Sequence, residues 1–105
     1  MKKIVIHNTA RNKIRNTARY IHKEFGAVSR IRFIEEVGHT MQLLKNNPGI
    51  GAAERDLEGA PVLYRSVIIQ RLNKIIYWEN GDTVEIVDFW NCRREPVTQA
   101  KHLLQ

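Results

Sequence analysis

Only one cysteine, Cys92, occurs in the 105 residues. A lone thiol closes no internal disulfide and cannot by itself assemble a zinc site, so a reducing cytoplasm is the expected setting. Long apolar runs are missing as well. Nothing approaches the ~20 residues of a membrane helix, so no membrane partner is expected. The run Ile4-Val5-Ile6 is too short for a signal peptide, whose apolar region spans about 7–15 residues. Phosphate-cradling glycine loops and nucleophile elbows are absent, and His7, His22, His39 and His102 show no ligand spacing. No cofactor and no metal are therefore expected. Acidic residues are the last shortage: 11 Asp+Glu stand against 17 Lys+Arg, a net charge of +6. A small basic chain suits nucleic acid or an acidic protein as partner.

What is present suffices for one core. Apolar residues make up 43% and charged residues 27%, which fits a single domain over 1–105. The β-branched run KKIVIH predicts a first strand over Lys2–His7, with Asn8 and Thr9 as helix caps behind it. Ala10, Ile14, Ala18, Ile21 and Phe25 recur at spacings of three and four and predict an amphipathic helix that Gly26 ends. A second helix is expected from Val28 to Asn46. Its stripe is Ile34, Val37, Met41 and Leu44, widened by Ile31 and Phe33. Asn47–Gly51 stops it, and AAERDLEGAP reads as a polar, turn-rich connection anchored by Leu57.

Three strands follow: Val62–Ile69, Leu72–Glu79 and Thr83–Asn91. Gln70-Arg71 joins the first two, and Asn80-Gly81 signals a type I′ hairpin turn between the last two. Both alternating sets of VLYRSVII hold large apolar residues, so burial on both sheet faces is expected. Beyond Pro96, VTQAKHLLQ reads as a short helix or an ordered tail. Helices first and an antiparallel meander second make an α+β fold, with the helical hairpin packed on the sheet.

Two basic sets stand out. Arg11, Arg15, Arg19 and Lys23 are spaced by four on the first helix, a stripe able to track phosphates or meet an acidic partner. Arg65, Arg71, Lys74, Arg93 and Arg94 belong to the sheet. The ammonium of Lys74, in a short strand, must reach water, a carboxylate or a phosphate. Trp90, beside the arginine pair, is a packing anchor or a surface on which a partner stacks. Tyr77 and Tyr64 are expected in the core with hydrogen-bonded hydroxyls.

The order AxxxI…YIxxEFG from Ala10 to Gly26, then LLKNNPGIG, YRSVII, NKIIYWENGDTVEIVDFW and CRREP resembles the RelE/ParE superfamily of bacterial type II toxins. The resemblance runs from Ile4 to Pro96. It implies a compact fold of two helices on an antiparallel sheet, and neutralisation by a small acidic antitoxin. It also places Arg65, Lys74, Arg93 and Arg94 where RelE-like members hold basic residues against the scissile mRNA phosphate on the ribosome. Those four are the candidate catalytic residues if the chain is a ribosome-dependent endoribonuclease.

The segment past Arg94 lacks the tyrosine acid/base of that branch, and His102 lies well beyond it. Charged guanidinium groups stabilise a transition state but abstract no proton. The YIHKEFG and NNPGIG signatures look more like ParE-type members, which poison DNA gyrase. Under that reading Arg11, Arg15, Arg19, Lys23, Trp90, Arg93 and Arg94 are partner-binding candidates. A degenerate member that only binds antitoxin is the third alternative.

Overall fold

The computed structural model describes residues 1–91. Cys92, Arg93, Arg94, His102 and the segment after Pro96 lie outside the described residues. Among the described residues no helix is long and apolar enough to cross a membrane.

The chain runs β1 (Lys3–Ile6), α1 (Asn8–Phe25), α2 (Ala27–Asn46), β2 (Ala52–Ala53), a 3₁₀ turn (Arg55–Leu57), β3 (Arg65–Ile69), β4 (Asn73–Asn80) and β5 (Thr83–Asn91). Asn8 and Thr9 lie inside α1, not before it. The capping position falls to His7, whose side chain makes no cap bond. Gly26 separates the helices at φ 91°, a value cheap only for glycine. Its N–H closes α1 on the His22 carbonyl, and its own carbonyl accepts from Arg30 to open α2.

α1 turns Ala10 and Ala18 inward, with Ile14 and Ile21 packed beside them. Phe25, predicted in that stripe, is 67% exposed because it sits on the last residue before the Gly26 turn. α2 corrects the expected stripe. Its buried row is Phe33, Val37, Thr40 and Leu44, spaced four, three and four, while Ile31 and Ile34 face outward. Ile34 shares a side of the helix with Ile31 and not with Phe33, so the apolar residues of α2 fall on two faces.

The sheet order is β1-β5-β4-β3-β2. β3, β4 and β5 form the expected antiparallel meander. β1 instead joins β5 in parallel, Lys3 opposite Thr83 and Ile6 opposite Ile86, so the sheet is mixed. Between β1 and β5 the chain passes through the α1–α2 hairpin and then β2, β3 and β4, a connection long enough for the two to run parallel. β2 is a two-residue strand that the turn-rich reading of this segment missed.

Each face of the sheet has its own core. The helix side holds Phe33, Val37, Leu44, Ile69, Ile75, Tyr77, Val84, Ile86 and Phe89, with Phe33 and Phe89 in an edge-on ring contact at 5.9 Å. The opposite side holds Ile76, Val87 and Trp90, covered by Leu57 of the 3₁₀ turn and flanked by Tyr64 and Trp78. Two-sided burial explains why the strand sequences show no clean alternation. A bulge adds to this: Ile76 pairs with Asp88 and Tyr77 with Ile86, so Val87 is the extra residue.

The β4–β5 turn differs from its predicted form, whereas Gln70-Arg71 lies in the β3–β4 connection as expected, with Leu72 added to it. Asn80 pairs with Thr83, which puts Gly81-Asp82 at the centre of the β4–β5 turn. Gly81 has φ 58° and Asp82 no positive φ, so the type I′ turn on Asn80-Gly81 is not formed. In the β3–β4 turn Gln70 and Arg71 both adopt left-handed backbone, φ 49° and 67°. That costs about 1–2 kcal/mol per residue without a glycine. The Gln70 N–H is held by the Glu36 carboxylate at 2.8 Å.

Candidate functional site

Strand alternation decides where the sheet cations go. Arg65 is opposite Tyr77 and Ile68 is opposite Lys74. Arg65 therefore shares the helix side with Tyr77, and Lys74 shares the other side with Trp90. The two candidates are not brought together.

Arg65 closes a loop. Its Nη1 donates to the Gly51 carbonyl at 2.8 Å, while the Tyr77 hydroxyl donates to the Pro48 carbonyl at 2.6 Å and accepts from the Gly51 N–H at 2.9 Å. Burial raises the Tyr77 phenol above its ordinary pKa. Gly51 leaves no room for a side chain, since a Cβ there would lie 2.6 Å from the Tyr77 hydroxyl and 2.8 Å from the Ser66 carbonyl. The NNPGIG segment is thus pinned to the end of the sheet by Arg65 and Tyr77.

Lys74 is neutralised. Its ammonium pairs with the Glu54 carboxylate, lies 3.9 Å from Asp56 and sits 5.2 Å from the centre of the Trp90 indole. Burial works to raise the Glu54 carboxyl, but the Lys74 ammonium, the Asp56 N–H and the Ser66 hydroxyl together hold it below the ordinary value. Asp56 is raised, by desolvation and by the negative Glu54 next to it. The requirement that Lys74 find a partner was legible in the sequence; that the partner is Glu54 was not, because the short β2 that delivers it carries no strand signature.

Trp90 is 1% exposed, so it packs within the fold and does not offer its face to a partner. Its indole N–H donates to Asp88 Oδ2 at 2.8 Å, and the Phe89 N–H and the Lys13 ammonium both reach Asp88 Oδ1 at 2.8 Å. Asp88 is fully buried, and the bulge at Val87 puts it on the side of the sheet that holds Ile76 and Trp90, where the Lys13 side chain of α1 reaches it. Nothing in the sequence singled out the Lys13–Asp88 pair.

The helical stripe stands as predicted in position. Arg11, Arg15, Arg19 and Lys23 are all exposed, and none pairs with a carboxylate among the described residues. Beside it, where α1 and α2 meet the β3–β4 turn and the end of β5, lies a cleft of about 970 Å³. Tyr20, Phe25 and Leu72 contribute exposed apolar surface to it, Lys13 and Arg32 contribute charge, and among the described residues no carboxylate lines it. The surface is basic on a ridge and apolar in a groove.

The family described as "ParE toxin of type II toxin-antitoxin system, parDE" matches residues 4–96. The chain belongs to the ParE toxin family. It is the toxin component of a type II toxin–antitoxin pair, and its partner is an antitoxin. Among solved structures, one titled "Chromosomal ParDE TA system from P. aeruginosa" superposes with a TM-score of 0.70 over 87% of this chain and 96% of its own, at 12% identity. At that identity the likeness speaks for the fold alone. No curated protein matches the sequence. The ParE fold accounts for the α-hairpin on a sheet; the ion pairs that fill its far face are written in this chain's own residues.

Proposed function

We propose that this ParE-family toxin acts on DNA gyrase without cutting RNA, and that a small acidic antitoxin holds it inactive. The observation that carries the first half is the separation of Arg65 from Lys74 across the sheet, with Lys74 already neutralised by Glu54. Stabilising a scissile phosphate needs convergent, uncompensated cations. Arg65 binds backbone carbonyls and Lys74 binds a carboxylate, so neither is available for that task in this arrangement. Arg93 and Arg94 enter the proposal as partner-binding residues on the sequence pattern alone.

The second half rests on charge. A net +6 and a basic stripe on α1 that pairs with no carboxylate among the described residues favour an acidic partner and fast, salt-sensitive association. The test is direct. Purified protein is added to gyrase and supercoiled plasmid, and in parallel to a translating extract. Gyrase-linked DNA breaks are the expected result. Cleavage of mRNA in the extract overturns the reading, and unchanged growth on induced expression would mark a member that only binds antitoxin.

A further inference from the structure

The cleft of about 970 Å³ beside α1 has a lining that the toxin reading does not use. Its volume is that of a small-molecule site, about 300–1,000 Å³. Two rings stand open in its walls, Tyr20 59% and Phe25 67% exposed. Three carboxamides share the lining with them: Asn16 on α1, and Gln70 and Asn73 at the β3–β4 connection.

Guanidinium groups from three different elements belong to this site. Arg32 of α2 is part of the lining itself. Arg19 of α1 donates to the Asn16 carboxamide oxygen at 3.5 Å, which sets it at the rim. Arg71 lies between Gln70 and Leu72, both of which line the cleft. All three arginines are exposed, and none pairs with a carboxylate among the described residues. Lys13, the other cation of the lining, pairs with Asp88. Gln70 and Arg71 also hold left-handed backbone that glycine or asparagine would adopt at less cost. Strain of this kind persists where neighbours fix it, here the Glu36 carboxylate on the Gln70 N–H, and it collects at ligand clamps.

Each part of the lining excludes a class of ligand. A simple anion satisfies the arginines and leaves both rings in water. An apolar ligand covers the rings and leaves the carboxamides unpaired. A flat heterocycle that carries phosphates meets every requirement: rings stack on its faces, carboxamides bond its edge, and arginines grip phosphate oxygens two at a time. We infer that the cleft binds a nucleoside di- or triphosphate, its base against Tyr20 and Phe25 and its phosphates toward Arg19, Arg32 and Arg71. Among the described residues neither a carboxylate nor a histidine lines the cleft, so it offers none of the usual general bases and is a site of binding, not of hydrolysis. Of the α1 stripe only Arg19 takes part, so the toxin reading does not depend on this site.

The full chain is titrated with ADP and followed by NMR amide shifts and calorimetry. Adenosine, inorganic pyrophosphate and a short single-stranded DNA form separate arms. ADP is expected to shift the amides of Tyr20, Phe25, Ser29 and Asn73, and to bind about tenfold more tightly than adenosine or pyrophosphate. Arg32→Gln should weaken ADP about tenfold and leave adenosine unchanged. Tyr20→Ala should weaken ADP and adenosine alike and leave pyrophosphate unchanged. Both side chains are exposed, so the melting temperature of each variant is expected to hold. ADP that leaves these amides unshifted at millimolar concentration overturns the inference. Pyrophosphate that binds as tightly as ADP marks a plain anion site and overturns it too. So does a single strand that shifts the cleft amides when ADP does not, which assigns the surface to nucleic acid.

Discussion

Arg65 and Lys74 lie on paired neighbouring strands and point to opposite faces of the sheet, one against a loop carbonyl and the other against a carboxylate. A shared site would make them strongly coupled. Separated by three pairing steps and by the sheet itself, they are expected to act independently. Arg65→Ala and Lys74→Ala combined in a double-mutant cycle should give a coupling in unfolding free energy below about 0.5 kcal/mol. A larger coupling would show that the two side chains share a network after all.

Acid should weaken the far face first. The folded-state carboxyl of Glu54 is depressed, so its stabilisation is full above the unfolded glutamate pKa and is lost as pH falls through the lower folded value. Glu85 is depressed too, by the Thr83 hydroxyl and by His7, and adds in the same sense. Asp56 is raised and works in the opposite sense, costing stability as pH rises through the unfolded aspartate value. Glu54→Gln is expected to flatten the acid limb of a stability-versus-pH curve. At neutral pH it should cost about 1.5–3 kcal/mol, the scale of a hydrogen bond to a charged group. Urea melts across the acid range measure both effects.

Gly51 tolerates no side chain. Gly51→Ala drives a Cβ into the Tyr77 hydroxyl and the Ser66 carbonyl, and overpacking of this kind costs about 1–3 kcal/mol. Tyr77→Phe relieves one clash but strands the Pro48 carbonyl and the Gly51 N–H, and is expected to cost a similar amount. The double variant should therefore be less destabilised than the sum of the two, which thermal melts can decide.

The α1 stripe should matter for binding and not for folding. Arg11→Gln, Arg15→Gln and Arg19→Gln together relieve like-charge repulsion of a few tenths of a kcal/mol per neighbouring pair. The melting temperature is expected to hold or rise slightly. The association rate with the antitoxin should fall, and so should its dependence on salt. Stopped-flow mixing at two ionic strengths gives the answer; an unchanged rate removes the stripe from the interface.

Lys13 and Asp88 make the remaining prediction. Lys13→Met removes the cation that meets a fully buried carboxylate and should destabilise the end of β5. Faster amide exchange at Phe89 and Trp90, with Ile75 and Ile86 unaffected, is the expected signature.

The legible parts of this fold were those fixed by local periodicity. The α1 stripe from Ala10 to Ile21, the Gly26 break and the Thr83–Asn91 strand stand where the spacing put them. Features set by distant chain segments were not legible. Ile34 and Phe33 are adjacent in sequence and equally apolar, and only the packing of α2 on the sheet decides that Phe33 goes in. The Gly81-Asp82 turn depends on a register settled along the whole β4–β5 ladder, not by the Asn-Gly pair. Lys74 showed that a partner was needed, but Glu54 reaches it through a two-residue strand too short for any pattern to mark.

The parallel pairing of β1 with β5 has a consequence in time. Lys3 meets Thr83 and Ile6 meets Ile86, so the first strand made waits for the last described strand before it has a neighbour. Until then the helical hairpin has no completed floor beneath it, and Ile4 and Ile6 lack the sheet they pack with. Domains whose key contacts are this remote assemble late and as a unit. On a translating ribosome such a chain stays unfinished until β5 has emerged, and its helical hairpin spends that interval without the floor it packs on.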